Sequence, residues 1–239
     1  MLPWTKLTHL GDTSLIAPAA LLIGLWLLVA RRHRLLCWWC ALLTGSMLLV
    51  AGSKIAFIGW GVGIPALNFT GISGHTTFAM AVWPVLAFLV LQHYPPLLRT
   101  GGVVFALTIA VLVGFSRLVL QFHSTAEVVA GYLLGATVSI VFIWISGSLR
   151  HTSLSRMLLA TSLAALLAAS SIQAAPTQYW LIRVALYVSG HEQPFVRSQP
   201  LAFPADNRGA IRLATFHYQA SDRPPNLPQK ATRDQDPHK

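Results

Sequence analysis

The stretch from Ser116 to Gly131 places an arginine, a histidine and a glutamate inside an otherwise nearly apolar region. These residues are Arg117, His123 and Glu127, and Glu127 is the only acidic residue between Thr13 and His191. Ionisable side chains in a membrane-like setting are costly and therefore indicate function. A base, a carboxylate one helical turn later and a cation that can hold an anion are the groups needed for phosphoryl transfer to a histidine.

A second polar motif, Ser73-Gly74-His75, stands just before another apolar run. Unpaired backbone N–H groups and the positive end of the helix dipole favour a phosphate at such a position. Glycine lets the backbone approach the anion closely, and His75 can give a proton to a leaving oxygen. The alternative is structural: Ser73 caps the helix and His75 lies at a helix interface.

The other polar residues also have structural alternatives. Ser124 to Glu127 fits a capping box, in which Glu127 reaches back to the helix start; a carboxylate in that position can also meet the ring of His123. Arg117 can form a structural ion pair with Glu127. Lys54, at the far end of an earlier apolar run, can extend its ammonium group to the membrane interface.

The composition indicates a membrane protein. Of 239 residues, 54% are hydrophobic and 10% are charged, with a mean hydropathy of +0.60, whereas a soluble domain has about 25% charged residues. The net charge of +10 would suggest nucleic acid in a soluble protein. Here the arginines lie in short loops between apolar runs, so membrane topology explains them better and no nucleic-acid partner is expected. Cys37 and Cys40 can form a redox or metal pair, but we interpret them as lipid-facing or packing residues.

Six apolar runs are long enough to cross a bilayer with little tilt. They are Ser14–Ala30, Leu35–Phe57, Thr76–Leu91, Gly101–Phe115, Thr125–Ser146 and Leu158–Ala175. The sequence thus predicts an all-α integral membrane bundle of about six transmembrane helices in a domain of residues 1–176. Residues 177–239 are predicted to form a short amphipathic segment, Tyr179–Val188, and a disordered tail.

Arginines follow the first, third and fifth runs, which assigns those loops to the cytoplasm if every run spans once. They are Arg31, Arg32, Arg34, Arg99, Arg150 and Arg156. Lys54, the Ser73-Gly74-His75 motif and the Ser116–His123 stretch then meet at the outer face. Six spans place the C-terminal tail outside, whereas a seventh crossing by Tyr179–Val188 would place it inside.

Taken together, these motifs resemble the type 2 phosphatidic acid phosphatase superfamily, the lipid phosphate phosphatases and their vanadium haloperoxidase relatives. The resemblance rests on Lys54, then Ser73-Gly74-His75, then Ser116-Arg117 followed after five residues by His123. It covers roughly Lys54 to Gly131, and the spacing from Ser116-Arg117 to His123 is its specific part.

The resemblance implies a role for each motif residue. His123 would be the nucleophile that forms a phosphohistidine, Glu127 would hold its imidazole and His75 would protonate the leaving group. The phosphoryl oxygens would be held by Lys54, Ser73, Gly74 and Arg117. No metal ion or other cofactor is implied.

The chain departs from the family pattern at two places. The family usually has aspartate where this chain has Glu127, which is longer by one methylene. The first family motif also has Arg-Pro seven and eight residues after its lysine, where this chain has Gly61 and Val62. Asn68 or backbone amides of the glycine-rich loop can substitute for the absent arginine.

The resemblance implies a membrane phosphatase that hydrolyses a lipid monophosphate or diphosphate at the periplasmic face of a bacterial inner membrane. Undecaprenyl diphosphate, phosphatidate, phosphatidylglycerophosphate and the phosphates of lipid A are the expected classes of substrate. One alternative is a lipid phosphotransferase that uses the same intermediate. Another is a non-enzymatic, proton-coupled transporter, although its polar groups should lie near mid-membrane rather than at one surface.

Overall fold

The structure is a computed structural model that describes residues 2–147 and 177–197. Its helices are α1 Leu2–His9, α2 Thr13–Val29, α3 His33–Trp60, α4 Gly74–Leu91, α5 Pro96–Val119, α6 Thr125–Gly147 and α7 Thr177–Ser189. A short 3₁₀ helix, Pro65–Leu67, lies in the loop between α3 and α4. Within the described ranges the only β-type pairing is an isolated bridge between Ile64 and Phe69 in the same loop.

Five stretches are long and apolar enough to cross a membrane. They are Trp4–Val29, His33–Trp60, Gly74–Leu91, Pro96–Val119 and Thr125–Gly147. The predicted all-α membrane bundle is confirmed, and each of the first five predicted runs overlaps one of these stretches. The sixth, Leu158–Ala175, lies outside the described residues.

Helix α4 is the centre of the bundle. Of its span, 56% is buried, against 22% to 33% of the other four spans. Ala79, Val82 and Val85 of α4 are completely buried. The outer helices expose large apolar side chains such as Leu48 and Leu133, as expected for surfaces that face lipid.

Two glycines let α6 approach α4 closely. A Cβ atom added to Gly131 would lie 2.9 Å from the carbonyl oxygen of Ser73, and one added to Gly135 would overlap the carbonyl of Thr77. Small residues spaced by four let two membrane helices come into backbone contact. This contact places the first turn of α6 beside the start of α4.

The end of α5 differs from the sequence prediction. The helix begins at Pro96, a favoured first helical residue, and continues to Val119. Ser116 and Arg117 are therefore in its last turns, rather than in a loop as predicted. The chain then turns through Gln121, which has a positive φ of 56°, and enters α6.

All described residues belong to one compact unit. Helix α7 contains the predicted amphipathic run Tyr179–Val188, and its end packs against the end of α3. A Cβ atom added to Gly59 of α3 would lie 3.2 Å from the carbonyl oxygen of Ala185. The predicted domain boundary at residue 176 stays a prediction.

Candidate active site

The seven predicted site residues meet at one end of the bundle. Lys54 is near the end of α3, and the Ser73-Gly74-His75 motif starts α4. Arg117 is in the last turn of α5, and His123 and Glu127 are at the start of α6. Residues from four helices thus form one polar cluster in an apolar bundle.

His123 and Glu127 form the predicted pair. Nδ1 of His123 lies 2.7 Å from Oε2 of Glu127. The same oxygen accepts a 3.1 Å hydrogen bond from the backbone N–H of Ser124, and the N–H of Glu127 donates to the hydroxyl of Ser124 at 3.4 Å. The capping box and the histidine contact therefore coexist.

The second oxygen of Glu127 is also saturated with donors. Oε1 accepts hydrogen bonds from the backbone N–H of Thr70 at 2.8 Å and from its hydroxyl at 2.6 Å. Nη2 of Arg197 lies 2.7 Å from the same oxygen. Since Glu127 is completely buried, this ion pair and these hydrogen bonds are what keep its charge tolerable.

The environment of His123 favours its neutral form. The pKa of its imidazole is lowered to about 4, mainly by burial and also by the nearby charges of Lys54 and Arg117, while the hydrogen bond to Glu127 opposes the shift. Among the described residues, no hydrogen bond engages its Nε2. The ring therefore holds an unprotonated, unengaged nitrogen at neutral pH.

Arg117 does not form the alternative ion pair with Glu127. Its Nη1 donates to the hydroxyl of Thr8 at 3.0 Å, and its guanidinium stacks on the ring of Phe122 with 4.2 Å between Cζ and the centroid. Its Nε is buried without a hydrogen-bond partner in the described structure. A buried, unpaired donor on a cation is a group that an anion can satisfy.

Lys54 faces the cluster across the glycine-rich loop. It interacts electrostatically with Glu127 and Arg117, and no hydrogen bond engages its amine in the described ranges. Gly71, at a φ of 153°, packs on the lysine, because a Cβ atom there would lie 2.9 Å from Cγ of Lys54. The lysine is thus confined near the site.

Ser73 occupies the N-cap position of α4, but its side chain makes no capping hydrogen bond. Its hydroxyl lies 2.9 Å from the hydroxyl of Thr76, and its backbone N–H donates to the carbonyl of Glu127 at 3.2 Å. The side-chain capping alternative for Ser73 is therefore wrong. The first N–H groups of α4 are left available beside Gly74.

His75 has a partner that the sequence analysis did not predict. Its Nε2 lies 2.8 Å from Oδ1 of Asp12, and the other oxygen of Asp12 contacts Nδ1 of His9. A Cβ atom on Gly11 would lie 3.2 Å from Cβ of His75, so the absence of a side chain at Gly11 lets the segment before α2 lie close to His75. The site therefore contains two histidine–carboxylate pairs.

Asp12, Thr8, Thr70 and Arg197 are the site residues that sequence reasoning missed. The available signal for Asp12 was topological, because residues before the first run lie on the same face as the motifs. Six spans would put Arg197 on that face too, but nothing in its polar segment distinguishes it from the other arginines there.

No group of three or more His, Cys, Asp or Glu residues that could hold a metal ion occurs in the described part of the chain. Cys37 and Cys40 are free and exposed on α3. This exposure suits side chains that face lipid.

The spans and the polar cluster at their end define an integral membrane protein with a site at one surface of the bundle. A family model described as the PAP2 superfamily matches residues 63–151. An uncharacterized 22.5 kDa protein in the cps region of Klebsiella pneumoniae is 34% identical over 201 residues, which cover 82% of this chain and 96% of that protein. Phosphatidylglycerophosphatase B of Bacillus subtilis (strain 168) is 32% identical over 152 residues, covering 56% of this chain and 71% of that protein. No solved structure matches the chain.

The chain belongs to the PAP2 superfamily, which confirms the family predicted from its motifs. At the level of the family it is a lipid phosphatase.

Proposed function

We propose that the chain hydrolyses a lipid monophosphate or diphosphate through a phosphohistidine on His123. The observation that supports this most directly is the 2.7 Å contact between Nδ1 of His123 and Glu127. It fixes the ring and leaves Nε2, the nitrogen without a hydrogen bond, for attack on phosphorus. Lys54 and Arg117 add positive charge on the side where the phosphoryl group would sit.

In the first step, Nε2 of His123 attacks phosphorus and the bond between phosphorus and the leaving oxygen breaks. His75 gives its proton to that oxygen, so the lipid leaves as an alcohol or a monophosphate. Asp12, in contact with the ring of His75, stabilises the protonated imidazole before the transfer. Lys54, Arg117, Ser73 and the amide of Gly74 hold the phosphoryl oxygens as charge spreads over them.

In the second step, water attacks phosphorus and the phosphorus–nitrogen bond breaks. His75, now neutral, takes a proton from this water, and inorganic phosphate leaves. His123 returns to its neutral form, and the charges in the site are restored. In this proposed cycle the chain supplies the nucleophile, the acid and base, and the groups that hold the phosphoryl oxygens, while water is the second reactant.

The substrate is proposed to be a phosphorylated lipid because the site lies at the end of a bundle whose outer helices face lipid. Phosphatidylglycerophosphate is the first substrate to test, since the Bacillus subtilis relative is named for its hydrolysis. Phosphatidate, undecaprenyl diphosphate and lipid A phosphates follow. We place the site at the periplasmic face of a bacterial inner membrane, because the arginine-bearing loops lie at the opposite end.

Two alternatives have distinct signatures. A phosphotransferase would pass the phosphate of His123 to a second lipid instead of water. A proton-coupled transporter would need its ionisable groups along the membrane interior, whereas those described here gather at one end of the helices. The enzyme is therefore the proposal that the geometry favours.

The test is a phosphate-release assay of purified protein in detergent with each lipid, in excess EDTA, combined with a denaturing quench at alkaline pH and analysis for phosphohistidine labelled from ³²P-lipid. We expect inorganic phosphate from at least one lipid, vanadate inhibition, and label on His123. The His123→Ala variant should show neither turnover nor label. Turnover by this variant would disprove the proposed nucleophile, and activity that returned only with Mg²⁺ would disprove the mechanism.

A further inference from the structure

We propose that Arg197 is a positioning residue of this site. It enters on a C-terminal strap, defined as residues 190–197, and holds Glu127 charged and aimed at His123. The inference rests on the proposed function, because it assigns Arg197 a part in preparing the nucleophile.

The strap is fastened to the end of α3 by two hydrogen bonds. Nδ1 of His191 lies 2.7 Å from the carbonyl oxygen of Gly59, and the backbone N–H of Phe195 donates to the carbonyl of Ile58 at 2.9 Å. The rings of His191 and Phe195 also meet edge to face, with centroids 5.8 Å apart. These contacts fix the chain two residues before Arg197.

The guanidinium of Arg197 bridges the glycine-rich loop and α6. Nη1 donates to the carbonyl of Asn68 at 2.8 Å, while Nη2 donates to the hydroxyl of Thr70 at 3.0 Å and to Glu127 at 2.7 Å. The planar fork of arginine suits such a bridge, whereas the single ammonium of lysine does not. The bridge fixes the carboxylate from the side opposite to His123.

Among the described residues, Arg197 is the only permanently charged group in ion-pair contact with the completely buried Glu127, whereas Lys54 interacts with it without such a contact. Without a counter-ion, a buried carboxylate is strongly destabilised and takes up a proton. A protonated Glu127 would donate rather than accept one of its hydrogen bonds, so it would no longer select the Nδ1–H form of His123. That form is the one that leaves Nε2 as the nucleophile.

Gly61 leaves room for the strap at the end of α3. A Cβ atom on Gly61 would lie 2.9 Å from Cδ1 of Phe195. The ring of the strap thus occupies the space next to Gly61, and the strap brings an arginine to the loop two residues later.

The test uses full-length Arg197→Met. We expect kcat to fall on the order of 10- to 100-fold, the effect of losing a hydrogen bond to a charged group, with little change in KM. The ¹⁵N spectrum of histidine-labelled protein should lose the pure Nδ1–H signature of His123. Arg197→Lys should be intermediate, and added guanidinium ion should restore part of the activity of Arg197→Met.

The matched control is Arg183→Met. Arg183 is exposed on α7, its guanidinium lies over the ring of Tyr179 with 5.2 Å to the centroid, and it is not an ion-pair partner of Glu127. This variant should keep the wild-type kcat and the wild-type His123 spectrum.

A double-mutant cycle tests whether Arg197 acts through Glu127. Glu127→Asp shortens the side chain and withdraws the carboxylate from Arg197, so adding Arg197→Met should cost little more. The inference is overturned if the losses of kcat from the two substitutions are fully additive. It is also overturned if Arg197→Met keeps the wild-type kcat, or if its kcat falls while the His123 spectrum is unchanged and guanidinium ion restores no activity. If His123→Ala is inactive but Arg197→Met is not impaired, this inference alone fails; turnover by His123→Ala rejects the proposed function itself.

Discussion

At the scale of single residues, the site pairs each of two imidazoles with a carboxylate. His123 contacts Glu127 in the first turn of α6, and His75 contacts Asp12, the residue before α2. Asp12 is in an N-cap position but makes no capping hydrogen bond, because both of its oxygens are engaged by histidines. The pairs engage opposite ring nitrogens, so His123 keeps Nε2 and His75 keeps Nδ1 for the substrate.

The leaving group distinguishes the two histidines. His75→Ala should lose most activity on a lipid substrate, where the departing alkoxide needs a proton, and clearly less on p-nitrophenyl phosphate, whose leaving group does not. General acid catalysis contributes roughly 10²–10⁴-fold, so the difference between substrates is measurable by phosphate release. His123→Ala should be inactive on both. Equal losses for both variants on both substrates would contradict these roles.

Asp12→Asn should imitate His75→Ala in a weaker form. The neutral amide no longer stabilises the protonated imidazole, so we expect roughly a 10-fold loss of kcat on a lipid phosphate, and a smaller loss with p-nitrophenyl phosphate. The matched control is Lys6→Gln, an exposed change on the same N-terminal segment. An Asp12→Asn variant that lost both activities equally would show that Asp12 supports the fold rather than His75.

His123 should remain neutral far below the usual range of histidine. Its pKa falls from 6.5 to about 4, so ¹⁵N spectra should show no protonation of His123 between pH 8 and pH 5. In that window the unfolded chain takes up a proton that the folded chain refuses, so stability should decrease as the pH falls from 6.5 toward 4. The His123→Asn variant serves as the control, because the signal that it lacks is the signal of His123. A titration midpoint of that signal near pH 6.5 would contradict the prediction.

The sequence predicted the site residues that lie in short motifs and missed those that only the fold brings near. His123 and Glu127 are four residues apart, so helical spacing reveals their pairing. Asp12 is 63 residues from His75, and Arg197 is 70 residues from Glu127. Residues so far apart in sequence are not related by helical spacing. They come into contact only because α1 and the strap pack on the bundle.

At the scale of helices, the contact between α4 and α6 determines where the motifs meet. The predicted apolar runs match α2, α3, α4 and α6 to within three residues at each end. Helix α5 starts five residues before its predicted run and ends four residues after it, and α1 was not predicted. The closeness of α6 to α4 could be foreseen only weakly, from the spacing of Gly131 and Gly135. Their lack of side chains is what allows backbone contact beside Ser73.

Gly135→Ala tests that contact. The added methyl group would overlap the carbonyl of Thr77, and overpacking of this kind typically costs about 1–3 kcal/mol. We expect a lower melting temperature in detergent and reduced kcat. Gly45→Ala on α3 is the control, since a Cβ atom there has no neighbour within 4 Å; equal melting temperatures for the two variants would contradict the packing argument.

At the scale of the whole molecule, charge is separated between the two ends of the bundle. Arg31 and Arg32 lie between α2 and α3, Arg34 lies in the first turn of α3, and Arg99 lies in the first turn of α5, all at the end away from the site. From the positive-inside rule we predict that the site lies at the outer surface.

Impermeant thiol labelling of spheroplasts checks this orientation. After Cys37 and Cys40 are replaced by serine, a cysteine at Leu67, which is 56% exposed in the loop before α4, should react from outside. A cysteine at Thr100, exposed at the other end, should react only after lysis. The opposite pattern would place the site in the cytoplasm.

The distance along the chain between Glu127 and its counter-ion has a consequence for biosynthesis. Arg197 follows Glu127 by 70 residues, which at about 5–20 residues per second means several seconds of synthesis. During that interval α6 must enter the bilayer with its acidic side chain lacking the arginine that later neutralises it. The nascent chain therefore reaches its finished active site only when the ribosome has made the strap.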